Sequence, residues 1–178
     1  MKRGHRIGMA AAALLSASAG AALAIERPLE YPVKAAFLHR FASFVSWPPA
    51  ALADSRSMTL CVVGRDPFGA LLDRTLENQS IGGRAVELRR MAAISPSSGC
   101  HIAYLGGSPD QSVEQALDAL AGSPVLTVTD DQQTSAMGMI HFVIVANRVR
   151  FSVDERRARR SDLVISSKLL NLAVRVVR

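Results

Sequence analysis

Residues 101–128 decide the fold: His101-Ile-Ala-Tyr-Leu-Gly-Gly-Ser-Pro-Asp-Gln-Ser-Val-Glu-Gln-Ala-Leu-Asp-Ala-Leu-Ala-Gly-Ser-Pro-Val-Leu-Thr-Val128. The two ends, residues 101–105 and 124–128, are short apolar runs typical of buried strands. Between them Ser108, Pro109 and Gln111 form a capping box, and Gly122 ends the helix. The buried face of that helix is Val113, Ala116, Leu117 and Leu120. A strand, a helix and a second strand predict two parallel strands joined by a crossover helix.

The preceding sequence continues this alternation of helix and strand. Residues 32–46 predict an amphipathic helix that Trp47-Pro48-Pro49 stops, and residues 58–63 predict a buried strand. Asp66 with Pro67 starts another helix, and residues 85–88 follow the turn at Gly82-Gly83 as a third strand. The apolar stripe of the first helix is Val33, Phe37, Phe41 and Phe44.

The following sequence predicts an antiparallel hairpin. Apolar side chains alternate in residues 140–144 and 149–153, on either side of a turn at Ala146-Asn147-Arg148. Residues 163–165 predict a last short strand, and Ser166 or Ser167 caps a closing helix. The predicted fold is therefore α/β: a single domain with a mostly parallel central sheet, helices on both faces and an antiparallel C-terminal hairpin.

The N-terminus has the three parts of a secretory signal peptide. Basic residues precede an alanine-rich apolar run that ends in Ala22-Leu23-Ala24, a small-x-small cleavage site. The run is short for a membrane span, and an uncleaved anchor is the alternative. We predict a cleaved signal over residues 1–24, one domain over residues 25–178 and export to the periplasm.

Charge and location exclude several classes of function. The chain of 178 residues has a formal charge of +6, and removing Lys2, Arg3 and Arg6 with the signal leaves +3. With one Trp and two Tyr there are few aromatic side chains to stack bases, so nucleic acid is a disfavoured partner. Outside the cytosol there is normally no pool of ATP, GTP or nicotinamide cofactor, which removes the substrates of many α/β enzymes.

The two cysteines, Cys61 and Cys100, predict one disulfide in an oxidising compartment. Two free buried thiols are one alternative. Metal binding or redox chemistry is another, but a metal needs two more ligands and His39, His101 and His141 lack a metal-binding spacing.

Catalytic motifs are incomplete. The glycines at 64 and 69 have the spacing of a phosphate loop, but Ala70 and Leu71 replace its required Lys and Ser or Thr. A Ser-x-x-Lys nucleophile would need serine at Ile165. Asp130 and Asp131 are interpreted as caps of a short helix reaching Met137 rather than as an acidic pair. We expect no catalytic residues, no metal and no cofactor.

Seven ordered blocks resemble the YfiR family of periplasmic proteins and cover almost all of residues 25–178. They are Tyr31-Pro-Val-Lys-Ala-Ala-Phe-Leu-His-Arg-Phe-Ala-Ser-Phe-Val-Ser-Trp-Pro48, Leu60-Cys-Val-Val-Gly-Arg-Asp-Pro-Phe-Gly69, Cys100-His-Ile-Ala-Tyr-Leu105, Val125-Leu-Thr-Val-Thr-Asp130, Gly138-Met-Ile140, Val149-Arg-Phe151 and Ile165-Ser-Ser-Lys-Leu-Leu-Asn-Leu-Ala173. The resemblance implies a secreted repressor that restrains an inner-membrane diguanylate cyclase, lowering cyclic di-GMP and biofilm formation. It also implies that Cys61 and Cys100 form the family's disulfide. A second cysteine pair found in some members is absent, and Met137 replaces a glycine common in the family.

Two surfaces are candidates for contact with the partner. Arg156, Arg157, Arg159 and Arg160 could meet acidic groups of a membrane protein or lipid headgroups, the alternative being a solvated loop. Trp47 and the phenylalanine stripe are the second candidate, the alternative being ordinary core packing. Two other functions stay open: a periplasmic small-ligand-binding module, favoured if polar side chains converge at the carboxyl edge of the sheet, and an enzyme. A homodimer is also left open.

Overall fold

The computed structural model describes residues 29–53 and 55–178, so the predicted signal peptide lies outside the described residues. The helices are α1 (Glu30–Ala42), α2 (Pro49–Leu52), α3 (Ala70–Leu76), α4 (Val113–Ala119), α5 (Glu155–Arg160) and α6 (Ser167–Leu170). The strands are β1 (Val45–Ser46), β2 (Ser57–Gly64), β3 (Ser80–Ile81), β4 (Arg84–Met91), β5 (Ile102–Gly107), β6 (Leu126–Asp130), β7 (Ile140–Val145), β8 (Arg148–Asp154), β9 (Val164–Ile165) and β10 (Arg175–Val177).

Eight strands form one sheet in the order β10-β8-β7-β6-β5-β2-β4-β3. Strands β4, β2, β5, β6 and β7 run in one direction, and β3, β8 and β10 run in the other. The sheet is therefore mixed, which corrects the prediction of a mostly parallel sheet. Tight turns cause the reversals: Gly82-Gly83 joins β3 to β4, and Ala146-Asn147 joins β7 to β8.

The predicted C-terminal hairpin is confirmed. Strands β7 and β8 pair antiparallel from Ile140↔Val153 to Val145↔Arg148. Ala146 and Asn147 have φ values of 48° and 59°, which is the left-handed backbone of a two-residue hairpin turn. The predicted strand after the hairpin also forms, but β9 pairs with β1 in a separate two-stranded sheet instead of extending the large one.

Side chains of the parallel strands alternate between two apolar layers, so helices cover both faces as predicted. Leu60 and Val62 of β2 pack into the layer that contains α1 and α3, with Ala158 of α5. Cys61 and Val63 pack into the layer formed by α4. This alternation explains why β2 and β5 are largely apolar on both faces.

Helix α1 differs from its prediction in length and in orientation. It ends at Ala42 because Val45 and Ser46 pair with β9. Its buried residues include Lys34, Leu38 and Phe41, whereas Val33, at the start of the predicted stripe, is 37% exposed. The helix is thus rotated relative to the predicted stripe, and a lysine occupies part of the buried face.

Three predicted helix starts are wrong. Helix α3 begins at Ala70 and not at Pro67, and Asp66 accepts from the backbone N–H groups of Phe68 and Gly69 in the turn before it. Helix α4 begins at Val113, with Ser112 and Gln115 forming the capping box, while the Ser108 hydroxyl accepts from the backbone N–H groups of Asp110 and Gln111. The helix predicted from Asp130 to Met137 is a turn, because the carbonyl oxygen of Asp130 accepts from Gln133 and Thr134 and the chain then becomes irregular.

Candidate functional site

The four predicted contact arginines lie on helix α5, not in a loop. Asp154 begins this helix, because its carboxylate accepts a hydrogen bond of 2.9 Å from the backbone N–H of Arg157. Ala158 is fully buried and fixes the helix against the sheet. This short, anchored helix leaves Arg156, Arg159 and Arg160 exposed and Arg157 half-buried.

The arginines differ in their partners. Arg159 donates to Glu155 at 2.7 Å, and Arg156 Nε lies 3.9 Å from the Asp154 carboxylate. Their side chains are 71% and 56% exposed, so these pairs contribute little to stability. In the described part of the chain, no carboxylate lies within 4.0 Å of the Arg157 or Arg160 guanidinium. Helix α5 therefore carries cationic charge that its own fold does not neutralise.

Trp47, the other predicted contact residue, is half-buried and packs against the main apolar core. Its indole Nε1 is buried, and no acceptor among the described residues binds it. Together with Leu52 and Met58 it borders a cavity of about 310 Å³. Core packing holds most of this ring, and only part of it faces solvent.

The two-stranded sheet of β1 and β9 connects the two predicted contact surfaces, the arginines of α5 and Trp47. Strand β9 follows α5 after three residues, and its partner β1 ends directly before Trp47. Val45↔Ile165 and Ser46↔Val164 are the paired residues, and the backbone N–H of Ser166 donates to Phe44. The chain topology therefore brings the segment containing Trp47 to the segment that follows the arginines.

The predicted disulfide between Cys61 and Cys100 is present, with a Cα–Cα distance of 5.9 Å. It joins Cys61, in the middle of β2, to Cys100, which lies two residues before the start of β5. Cys61 is fully buried and Cys100 is 8% exposed. The bridge therefore lies within the apolar layer formed by α4, away from solvent.

A buried ion cluster was not predicted. Lys34 Nζ on α1 donates to Asp130 Oδ2 at 2.6 Å, and both side chains are fully buried. Glu30 and the hydroxyl of Tyr104 also contact this pair, the hydroxyl at 3.3 Å from Asp130. Burial, and then the Asp130 carboxylate, raise the pKa of Tyr104, which keeps the phenol protonated as a donor. The cluster joins α1 to the end of β6 and is closed to solvent.

Two buried histidines are held neutral. Burial lowers the pKa of His101 and of His141. The Nδ1 atom of His101 accepts from the backbone N–H of Thr59 at 3.0 Å, and His141 Nδ1 lies 2.7 Å from the Thr129 hydroxyl. These bonds give both histidines a structural role.

Polar residues do converge at the carboxyl edge of the sheet, between β2 and β5, where the chain changes direction across the sheet. The base of this crevice is closed by backbone: a Cβ at Gly64 would lie 2.1 Å from the Gly107 carbonyl oxygen. Arg90 at its rim donates to Asp66 and Asp73, which lowers the pKa of Asp73. The charge of Arg90 is thus paired with carboxylates of the same domain, whereas Arg65, which also lines the crevice, donates to Gln133.

The Ser166-Ser167-Lys168 segment is structural, because the Ser166 hydroxyl caps α6 by accepting from the backbone N–H of Lys168. Among residues 29–53 and 55–178, no three His, Cys, Asp or Glu side chains come together as a metal site. No helix within these same ranges is both long and apolar enough to cross a bilayer.

Comparison with known families shows that residues 31–174 match the model of the YfiR/HmsC-like family. This range runs from the first turn of α1 to the residue before β10, and it includes the disulfide, the buried Lys34–Asp130 pair and the arginines of α5. Because it spans most of the sequence, the resemblance found from the seven ordered blocks is confirmed. The chain belongs to the YfiR/HmsC-like family.

Proposed function

We propose that this protein is a periplasmic regulator that represses an inner-membrane diguanylate cyclase by binding the periplasmic part of that enzyme. Family membership over residues 31–174 is the observation that carries the proposal. Repression of the cyclase would lower cyclic di-GMP and, with it, biofilm formation.

The surface of α5 supports a role in binding. Arg157 and Arg160 lack acidic partners among the described residues, and Arg159 is largely exposed. A partner that supplies carboxylates to such a surface gains charge-assisted hydrogen bonds and faster association. The periplasmic face of a membrane protein is within reach of an exported domain of this size.

A gene deletion tests the proposal. Cells that lack the protein should contain more cyclic di-GMP and attach more strongly to surfaces than wild-type cells. Complementation with the full chain should restore the lower level, whereas a chain without residues 2–24 should fail because it is not exported. Unchanged cyclic di-GMP and attachment in the deletion strain, under conditions in which the protein is made, would contradict the proposal.

A small-ligand-binding module is the second candidate, because polar side chains converge at the carboxyl edge of β2 and β5. Substituting Ser108 and Gln133 there by Ala should abolish regulation if the crevice binds the ligand. If those variants regulate normally and only α5 variants fail, the protein-binding function is favoured.

A further inference from the structure

A cavity of about 230 Å³ lies between the C-terminal end of α4 and helix α5. Arg156, Arg157 and Arg160 line it, and Asp154 is its single acidic residue. The arginines at 157 and 160 are three residues apart on a helix and therefore share a face. Arg159 does not line the cavity.

The charges around this cavity are unbalanced. The Asp154 carboxylate already accepts from the backbone N–H of Arg157 and lies 3.9 Å from Arg156 Nε. Arg157 and Arg160 have no carboxylate within 4.0 Å among residues 29–53 and 55–178. Three guanidinium groups and one carboxylate beside a partly enclosed space favour an anion in that space.

The rest of the lining adds hydroxyl donors and an apolar wall. Thr127 Oγ1 accepts from the backbone N–H of Met139 at 3.0 Å, which leaves its own proton for another acceptor. Ser161, which like Thr127 is 2% exposed, contributes a second hydroxyl. Leu117, Leu120 and Met139 form the apolar wall. An inorganic ion would leave that wall in contact with water, whereas a short carbon chain would cover it.

We propose that this cavity binds a small organic anion, a carboxylate or a phosphate monoester with a short apolar group. The guanidinium groups of Arg157 and Arg160 bind the anionic oxygens, and the apolar group packs against Leu117, Leu120 and Met139. Planar guanidinium groups suit both anions because each presents paired N–H donors to two oxygens. The inference concerns the isolated protein and does not depend on the proposed repression of a cyclase.

Calorimetric titration of the processed, oxidised protein at low ionic strength tests the inference. The probes are butyrate and butyl phosphate, with inorganic phosphate and butylamine for comparison. We expect the two organic anions to bind, inorganic phosphate to bind more weakly, and butylamine not to bind. Added sodium chloride should weaken binding, because it screens the arginines.

Variants then assign the binding to the cavity. Arg157→Gln with Arg160→Gln should lower affinity about tenfold or more, since a hydrogen bond to a charged group is lost at each position. Arg159→Gln is the matched control on the same helix and should bind as wild type does. Arg160→Gln alone should give a smaller loss of affinity. This single variant still tests the inference if the double variant fails to fold. Equal losses in the Arg159 control, or no binding of either organic anion, would overturn the inference.

Discussion

Lys34 places an ammonium group in the interior of the domain, where two carboxylates and two aromatic rings surround it. Its Nζ lies 2.6 Å from Asp130, and 5.4 Å and 5.8 Å from the ring centroids of Tyr31 and Phe142. Such a pair need not stabilise the fold more than apolar residues would, but it depends on both partners being present. Its geometry therefore fixes the rotation of α1 relative to the sheet.

Removing one partner of this pair should be costly. Lys34→Met is expected to lower the free energy of unfolding by roughly 3–5 kcal/mol, because the buried Asp130 carboxylate loses its cation. Urea denaturation followed by circular dichroism measures the change. Lys34→Met combined with Asp130→Asn should recover part of the loss, and Glu30→Gln, at the edge of the cluster, should cost much less. A single variant as stable as wild type would show that the pair contributes nothing.

His101 should make the fold sensitive to mild acid. Its pKa is lowered from 6.5 chiefly by burial and also by Arg84, so the unfolded chain binds more protons just below pH 6.5. The stability that depends on neutral His101 is complete above that pH. It falls as the pH drops from 6.5 to the folded pKa and then levels off. Protonation at Nδ1 would also break the hydrogen bond from Thr59.

Denaturation at a series of pH values from about 7.5 to about 5 checks this expectation. His101→Asn keeps an acceptor near Thr59 but does not titrate, so its stability should change less with pH than that of wild type. The remaining dependence should include His141, whose pKa burial lowers in the same direction. Identical pH profiles for the variant and the wild type would assign the acid sensitivity to other groups.

At the scale of elements, the sequence predicts local structure well where the pattern is local. The β7–β8 hairpin follows from alternating apolar residues around Ala146-Asn147, both of which adopt positive φ. The helix expected after Asp130 stays a single turn: Asp130 Oδ1 accepts from the backbone N–H of Gln132, while Oδ2 binds Lys34, 96 residues away in sequence. The sequence does not indicate strand β10, because its three residues are too few to show a pattern. They form a strand by pairing with β8 in the folded sheet. The cavity of α5 likewise depends on α4 as its neighbour.

The close approach of β2 and β5 depends on glycine. Gly64→Ala should destabilise the domain by several kcal/mol, since it combines a positive φ with a contact of 2.1 Å to a backbone oxygen. Gly122→Ala has a similar φ of 77° but open space around its Cβ, and should cost only about 1 kcal/mol. Thermal unfolding of both variants separates the backbone effect from the steric one. Equal losses would show that the backbone conformation alone requires glycine.

The disulfide stabilises the same pair of strands. Its sequence separation of 39 predicts a loss of about 4 kcal/mol when the bridge is removed, or roughly 10 °C in Tm. Cys61→Ser with Cys100→Ser should show this loss, and wild type in reducing agent should approach it. A thiol assay on unfolded, unreduced protein should find no free thiol. Two free thiols in that assay would contradict the bridge.

At the scale of the whole molecule, substitutions on α5 should weaken partner binding without changing the stability of the fold. Arg157→Glu with Arg159→Glu should weaken association with the periplasmic part of the proposed cyclase partner, most strongly at low salt, because exposed charges are least screened there. Tm should change little, since the Arg159 side chain is 71% exposed and its pair with Glu155 contributes little to stability. Interferometry at two salt concentrations measures the first effect and calorimetry the second.

Arg148→Glu with Arg150→Glu is the control for that experiment, because it makes the same charge change at exposed positions of β8. Equal weakening by both pairs of substitutions would indicate general electrostatic attraction rather than a specific surface. A large fall in Tm with binding intact would instead assign the α5 arginines to the stability of the fold.

The two short outer strands of the large sheet affect how the protein behaves in concentrated solution. At one edge β3 has two residues, and at the other β10 has three, of which Arg175 is the first; Arg178 follows the strand. Strand-by-strand addition between molecules needs a long, flat row of unpaired backbone groups, and charged residues at an edge discourage it. Strand β3 covers only Arg84 and Ala85 of β4, but the uncovered part of that strand carries the charged residues Glu87, Arg89 and Arg90. The folded chain should therefore resist amyloid-type association, even though its central strands, such as residues 58–63, are aggregation-prone when unfolded.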